Sequence, residues 1–252
     1  MALRSGSALF AVMTGVMALA GAASAQVRLP ETGLNIDAGA AVRVRPTHLG
    51  SEAYRAIFVP VIDGQWGKDL HFSVDDGVQY TVVHYGRFKF GPDLEYRQAY
   101  TSALAPRTKR TSNATEAGLF TQVDLTYAEL DVRVRKALDG YGGLSSDITL
   151  DTLAPLARQW SLGLEARVGW ADRKFTATTF GRTTAPDPRP TSIGDYYSAG
   201  VQVALIYLPQ SKTRLIVAAS VDQILRPSGL ARNTSSRTTA TLLFVATRRF
   251  SW

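Results

Sequence analysis

Few residues in this chain could carry out chemistry. The 252-residue sequence has no cysteine, and its three histidines, at 48, 71 and 84, lack the H-x-x-x-H spacing of a zinc-binding helix. It contains no G-x-S-x-G, Walker or G-x-G-x-x-G motif. Residues 75–77 (DDG) could supply half of a catalytic site, but this sequence is typical of a turn or bulge. The sequence predicts a protein that is not an enzyme and that holds no metal or cofactor.

The charge balance argues against a nucleic-acid partner. Lysine and arginine outnumber aspartate and glutamate by 28 to 21, yet charged residues make up only 19% of the chain. A nucleic-acid-binding arm or a soluble basic protein usually carries a larger share. We therefore expect a surface with fewer charges than that of a soluble protein.

The first 25 residues have the pattern of a secretory signal peptide. A short positive start at 1–4 precedes the apolar run 8–20, and 23–25 (ASA) is an A-x-A cleavage site. Cleavage is expected between Ala25 and Gln26, which leaves 26–252 as the exported domain. A retained transmembrane helix is the alternative, although the apolar run is shorter than the ~20 residues that cross a bilayer. The exported chain is then secreted, periplasmic or a β-barrel.

The exported part of the chain has the pattern of long strands in which apolar and polar residues alternate. In 159–170 apolar side chains occupy the even positions and polar or small ones the odd positions. Similar alternation covers 34–45, 87–97, 144–153, 196–208 and 238–252. Strands of soluble proteins average about five or six residues, whereas these runs are about ten to fourteen residues long. The length favours strands that cross a membrane.

Aromatic residues stand at both ends of two of these runs. Trp160 and Trp170 lie ten residues apart on the apolar face, as do Tyr197 and Tyr207. At ~3.3 Å per residue and a tilt near 40°, that separation corresponds to ~25 Å of membrane thickness. We interpret the four residues as the lipid-facing aromatic girdle of an all-β, antiparallel, up-and-down transmembrane barrel in the bacterial outer membrane.

The strand number depends on two irregular segments. Apolar positions are odd from 119 to 127 and even from 130 to 134, so a bulge or an unmarked hairpin lies near Ala128–Glu129. One strand over 119–138 gives about ten strands, while a split gives eleven and requires a twelfth for an even number. Asp76 falls on the apolar face of the run 70–82, where a bulge would turn it inward.

Turn-forming residues mark two kinds of connection. Short connections are expected at 64–68, 86, 155–158 and 209–212, and long polar ones, expected to be extracellular, at 99–118, 171–194 and 226–237. Within the first long connection, 106–110 (PRTKR) could bind lipopolysaccharide phosphates, with a solvated loop as the alternative.

Charged side chains occupy the inward positions of the predicted barrel. Both signs are present, at Arg43, Arg45, Lys89, Asp93, Glu95, Arg97, Asp131, Arg133, Arg135, Asp147, Asp151, Glu165 and Arg167. Because enclosed charges are stable only when paired, we expect Asp93, Glu95, Asp131 and Glu165 to neutralise the arginines. Ten or twelve strands leave an interior that such side chains can largely fill. The sequence predicts a plugged or constricted barrel rather than a diffusion pore.

The last strand ends on an aromatic residue. Phe250 and Trp252 share the apolar parity of Leu242 and Phe244. This ending is typical of the terminal signal that the outer-membrane barrel assembly machinery reads. Arg248 interrupts the pattern, and we expect it to snorkel at the periplasmic rim.

Three motifs in order resemble the MipA/OmpV family of outer-membrane proteins. They are 45–54 (RPTHLGSEAY), 76–80 (DGVQY) and 91–97 (GPDLEYR), followed by 170–172 (WAD) and 179–181 (TFG). The resemblance covers nearly the whole exported chain. It departs from the family pattern at His48, which replaces an aromatic residue, and at Val78, which replaces a glycine.

The resemblance implies a non-enzymatic outer-membrane protein. In that family the protein is regarded as a scaffold that brings together a lytic transglycosylase and a bifunctional penicillin-binding murein synthase, and other members are discussed as adhesins. An adhesin and a narrow small-solute channel are the alternatives for this chain. An enzyme is a further one, because some outer-membrane barrels carry Ser/His or Asp/His sites.

Overall fold

The computed structural model of the protein describes residues 33–47, 49–97, 113–180, 194–226 and 236–252, with the backbone alone for 177–180. They form thirteen β-segments and one helix: β1 (Leu34–Pro46), β2 (Tyr54–Trp66), β3 (Leu70–Ser73), β4 (Gly77–Tyr80), β5 (Val83–Tyr85), β6 (Phe88–Arg97), β7 (Ala114–Asp124), β8 (Glu129–Ala137), β9 (Leu144–Ala157), β10 (Trp160–Ala171), α1 (Arg173–Phe180), β11 (Tyr196–Gln210), β12 (Thr213–Arg226) and β13 (Thr238–Ser251). The predicted signal peptide, the Ala25–Gln26 cleavage site, His48 and 106–110 lie outside the described residues.

The strands close into an antiparallel barrel. Each wall strand pairs with its neighbours in the chain, and β1 pairs with β13 over ten residues from Asn35 to Val44. β4 and β5 both pair with β6 and are two pieces of one broken strand. The described wall therefore has twelve strands, which confirms the predicted antiparallel barrel with the higher of the two strand numbers.

Alternation along each strand separates an apolar outer face from a polar lumen. On β10 and β11, for example, Leu162 lies opposite Leu205 and Leu164 opposite Val203, while Glu165 lies opposite Gln202 on the other face. The outer face leaves large apolar side chains uncovered, among them Phe58, which is 75% exposed. An uncovered apolar surface of this extent is unusual for a soluble protein. It fits contact with the hydrocarbon of a bilayer.

The two ends of the barrel differ. At one end, called the turn end, the strands are joined by the short connections 67–69, 86–87, 125–128, 158–159 and 211–212, and the Leu34 amide donates to the Trp252 carbonyl at 3.2 Å. The other end, called the loop end, carries the connections 47–53, 98–113, 138–143, 172–195 and 227–237. Short turns are typical of the periplasmic side of outer-membrane barrels.

The segment 70–82 contains a hairpin rather than one strand. β3 ends at Ser73 and β4 begins at Gly77, and residues 74–76 form a connection that we call the lumen turn. Gly77 has a φ of 79°, and a Cβ there would lie 2.1 Å from the Leu94 carbonyl oxygen, so both conformation and close approach require glycine. Asp76, expected on a bulge, lies in this turn instead.

The segment 119–138 is also a hairpin. β7 and β8 are joined by 125–128, where the Leu125 amide donates to the Ala128 carbonyl at 2.8 Å. Thr126 has a φ of 77°, and its amide donates to the Asp124 carboxylate at 2.8 Å. The split at this position and the hairpin at 74–76 together account for the two strands beyond ten.

Several connections differ from expectation. β2 continues to Trp66, β7 begins at Ala114 and β11 continues to Gln210, so the expected connections 64–68, 99–118 and 209–212 become 67–69, 98–113 and 211–212. β9 continues to Ala157, so the expected connection 155–158 shortens to a two-residue turn, 158–159. The expected loop after β10 begins with helix α1, whose first amides, of Lys174 and Phe175, donate to Asp172 Oδ1 at 3.0 and 3.1 Å. This is a helix N-cap, which the sequence pattern did not reveal.

Candidate functional site

The aromatic residues interpreted as a girdle lie in two pairs across β10 and β11. Trp160 lies opposite Tyr207, with ring centroids 4.4 Å apart, and Trp170 lies opposite Tyr197. All four occupy outward positions, the first pair near the turn end and the second near the loop end. Contact with lipid at the two membrane interfaces stays a prediction.

The centre of the lumen is organised around Arg135 of β8. Its guanidinium lies 2.7 Å from Asp93, 3.0 Å from Glu95 and 2.9 Å from Asp147, and its side chain is 3% exposed. These carboxylates belong to β6 and β9, so one buried cation connects three strands. A buried arginine is tolerated only with such compensation.

A second cluster lies towards the loop end, around Glu116 of β7. The Glu116 carboxylate is fully buried, lies 2.6 Å from Arg97 Nε, and accepts hydrogen bonds from Tyr141 at 2.6 Å and Ser145 at 3.3 Å. Tyr141 stands on the connection after β8, where burial and then the hydrogen bond to Glu116 raise the pKa of its hydroxyl. The cluster ties that connection to the wall.

An apolar group covers this cluster at the loop end. Phe175 of α1 contacts Tyr141 edge-on at 5.0 Å between ring centroids and Tyr196 at 5.4 Å. Ala114, Ala137 and Ala171 complete the buried group. Helix α1 therefore packs over the lumen entrance on this side.

The lumen turn connects distant walls. Arg43 of β1 lies 2.6 Å from Asp75, and Arg133 of β8 lies 3.2 Å from Asp76 and 2.6 Å from Asp131. Arg43 was expected to pair within the set Asp93, Glu95, Asp131 and Glu165, as was Arg97. Both instead pair outside it, Arg43 with Asp75 and Arg97 with Glu116. Alternation does not reveal the hairpin that carries Asp75, and it does not show that Glu116 lies beside Arg97.

A third group of charges spans β10 and β12. Arg167 makes a two-pronged contact with Asp222, at 2.8 and 2.6 Å, and donates to Glu165 at 2.7 Å. Gln202 of β11 donates to the same Glu165 at 3.1 Å. This planar double contact is the strongest type of arginine–carboxylate interaction.

Two of the predicted lumen residues, Lys89 and Arg45, differ from the others in the neighbours they have. Lys89 donates to Gln122 at 2.9 Å, and Gln122 donates in turn to Glu129 at 2.6 Å. Arg45 lies directly opposite another arginine, Arg55 of β2.

Several lumen residues that take part in ion pairs are not among those predicted from the sequence. They are Asp37, which contacts Arg249 at 2.7 Å and Arg214 at 3.2 Å, together with Glu116 and Asp222. All of them stand at inward positions of their strands, so the alternation could have identified them. Their partners could not be found that way, because alternation does not reveal which strands face each other across the lumen.

The C-terminal residues close the barrel. The Trp252 amide donates to the Leu34 carbonyl at 3.0 Å, and the rings of Phe250 and Trp252 stack with centroids 6.1 Å apart. Arg248 points outward and is exposed, next to the turn end. Recognition of Phe250 and Trp252 by the assembly machinery stays a prediction.

The arrangement is suited to filling and bracing the lumen. Among the described residues, no group of three or more histidines, aspartates or glutamates is placed to hold a metal ion. No α-helix in the described ranges is long and apolar enough to cross a membrane.

Three solved outer-membrane proteins match this chain at low similarity. The NanC porin matches with a TM-score of 0.44 and 9% identity over 83% of this chain and 98% of that chain. An outer membrane channel from Pseudomonas putida F1 matches with a TM-score of 0.43 and 13% identity over 90% and 98%. OmpT of Vibrio cholerae matches with a TM-score of 0.40 and 7% identity over 91% and 100%. No curated protein matches the sequence.

The family comparison covers most of the chain. The family model described as MltA-interacting protein MipA matches residues 38–250, which include every strand from β2 to β12 and most of β1 and β13. The closed barrel, with its apolar outer face and charged lumen, is the architecture that can cross an outer membrane with strands. The protein is a β-barrel of the bacterial outer membrane, and the chain belongs to the MltA-interacting protein MipA family.

Proposed function

We propose that this protein is a non-enzymatic anchor that binds a murein-processing enzyme at the periplasmic face of the outer membrane. The family description names an interaction with MltA, which directs the proposal towards a protein partner. Ion pairs cross the described lumen at several levels, so transport through it is a poor alternative. A protein partner would therefore bind at one of the two ends of the barrel.

The observation that carries the proposal is the charge of the turn end. Four of the five short connections contain an exposed cation. They are Lys68, Arg87, Arg158 and Lys212. Two carboxylates at this end are engaged: the Asp124 carboxylate accepts from the Thr126 amide, and the Asp69 carboxylate lies 3.4 Å from His84 Nδ1. A ring of cations facing the periplasm is complementary to a partner with an acidic surface.

The expected contact is weak and sensitive to salt. Short turns bury less than the ~1,200 Å² of a standard stable interface, and exposed charges are screened within ~8 Å at physiological ionic strength. A partner held at the same membrane compensates through its high effective concentration. Binding in intact cells should therefore exceed binding between the purified proteins.

The test is photo-crosslinking in intact cells followed by mass spectrometry. A photoreactive residue replaces Gln159 or Ser211, both exposed at the turn end. We expect peptides of a lytic transglycosylase or a penicillin-binding murein synthase. The R158E/K212E variant should lose them, while the matched variant R173E/K174E, which reverses two exposed cations at the loop end, should keep them.

Other results would contradict the proposal. Crosslinks confined to the loop end and to external ligands would favour an adhesin. If R158E/K212E and the unchanged protein crosslink equally, the cations of the turn end do not take part in partner binding.

A further inference from the structure

One side of the lumen carries an aliphatic patch between charged residues. β1, β2, β12 and β13 direct aliphatic side chains inward, where they line a cavity of about 120 Å³: Ala41, Val59, Val61, Ile216, Leu243 and Val245. The lumen of an outer-membrane barrel is ordinarily polar. On β6 to β10 of this barrel the inward positions carry the charges described above. The apolar wall therefore needs an explanation of its own.

The charges at the border of the cavity are already compensated. Arg43 pairs with Asp75 at 2.6 Å, and Asp37 pairs with Arg214 at 3.2 Å. Asp63 lies 3.1 Å from His71 Nε2. These groups do not require a charged ligand, so the surface that the cavity offers to a guest is chiefly its aliphatic wall.

Arg55 differs from these residues. It occupies the inward position of β2 next to Ile57, towards the loop end, and lies directly opposite Arg45. Its Nε is buried without a hydrogen-bond acceptor, and no described carboxylate pairs with its guanidinium. A buried unsatisfied donor is unfavourable. An anion beside Arg55 would satisfy it.

Arg55 lies on the same inward face of β2 as Val59 and Val61, which line the cavity. The Cα atoms of Arg55 and Val59 are four residues apart on a strand, about 13 Å at ~3.3 Å per residue, and a flexible arginine side chain can cover part of that distance. A dry cavity of ~150 Å³ accommodates benzene in another protein, so this one suits an apolar group of similar or slightly smaller size.

We propose that this side of the lumen binds a small amphipathic anion, a monocarboxylate with an apolar part of about five or six carbons. The carboxylate lies against Arg55, and the apolar part fills the cavity between Val59, Val61 and Leu243. The lumen turn borders the pocket through Asp75, which pairs with Arg43 at 2.6 Å. The proposal does not depend on any protein partner.

The test uses the folded barrel in lipid nanodiscs and sodium hexanoate as the probe, with binding followed by saturation-transfer NMR. We expect saturable binding that strengthens from butanoate to hexanoate and weakens again at decanoate, which is too long for the cavity. Hexan-1-ol should bind about tenfold more weakly or worse, because it lacks the charge-assisted contact. This series needs no variant and is independent of any folding defect.

Variants then locate the site. R55Q should lower hexanoate affinity by about tenfold and leave hexan-1-ol unchanged, R55K should restore most of the loss, and V61T should weaken both probes. The matched control R248Q, at an exposed position on the outer face of β13, should leave the affinity for both probes unchanged.

Three outcomes would overturn the proposal. One is uptake that matches that of protein-free nanodiscs. A second is equal binding of hexanoate and hexan-1-ol. The third is equal hexanoate affinity in R55Q and the unchanged protein, which would leave the aliphatic residues as packing alone.

Discussion

Arg43 and Arg133 lie on opposite walls of the barrel, yet both reach the same three-residue turn. Five wall strands separate β1 from β8 in either direction around the barrel when β4 and β5 are counted as one. For twelve strands ~4.8 Å apart and tilted near 40°, opposite backbones of a round barrel would be roughly 24 Å apart. The contacts Arg43–Asp75 and Arg133–Asp76 therefore form a path across the lumen.

The first prediction concerns this path. In the D75N/D76N variant, the two arginines lose their charged partners on the turn, and conductance in planar bilayers should rise several-fold with frequent brief openings. Stability should fall by only about 1 kcal/mol or less, because the two aspartates are 57% and 52% exposed.

The matched control is D195N, which removes a carboxylate that accepts from Trp170 Nε1 at 3.3 Å near the loop end, its one contact among the residues that the structure describes. Its conductance should equal that of the unchanged protein. If D75N/D76N conducts no better than D195N, the turn does not block the lumen.

The second prediction concerns Glu116. Replacing it by glutamine keeps the shape but removes the charge that compensates Arg97 in a fully buried position. The free energy of unfolding should fall by about 3 kcal/mol for E116Q and by about 1 kcal/mol for Y141F. Urea unfolding in liposomes, followed by tryptophan fluorescence, measures both. If Y141F loses more unfolding free energy than E116Q, the Tyr141 hydroxyl and not the Glu116 charge is the main stabilising group.

The third prediction follows from Tyr141 and pH. Burial raises the pKa of this hydroxyl above its ordinary value, and the hydrogen bond to Glu116 raises it further. The folded protein thus holds this proton more tightly than the unfolded chain, whose tyrosines titrate near pH 10. The stabilisation is complete below about pH 10 and declines as the pH rises further towards the folded-state pKa.

The measurement compares the unchanged protein with Y141F. The difference in unfolding free energy should stay constant between about pH 7 and 9 and shrink above about pH 10. A difference that already shrinks between about pH 7 and 9 would contradict the raised pKa.

The sequence could reveal one hairpin and not the other for a physical reason. The connection 125–128 changes the outward positions from odd to even, from Val123 to Leu130, so the break is visible in the alternation. The lumen turn preserves the parity, because Phe72 and Val78, on its two sides, both point outward. Period-two alternation cannot detect a turn that leaves the parity unchanged.

The ion pairs were predictable in kind but not in partner. Alternation places Arg97 and Arg135 inward, and enclosed charges require compensation. Which carboxylate faces which arginine depends on the stagger of the strands around the barrel, and this has no local signature. The capped helix at 173–180 could not be predicted for a different reason: its polar sequence is typical of a loop.

The fourth prediction concerns the C-terminus. W252S should slow assembly by the barrel assembly machinery while export continues, because the backbone contacts between Trp252 and Leu34 persist and only the aromatic side chain is lost. Pulse-chase analysis should show unfolded protein in the periplasm followed by its degradation. The control W66S removes another exposed tryptophan, beside Leu34 at the same end. Equal assembly rates in both variants would count against a terminal signal.

The single-channel conductance of the folded, unmodified protein in planar bilayers shows most directly whether the lumen is closed. Because ion pairs join opposite walls through the lumen turn and α1 covers part of the loop end, we predict brief events of low conductance and poor selectivity. A steady channel of nanosiemens conductance would contradict a closed lumen and establish a porin-like function instead.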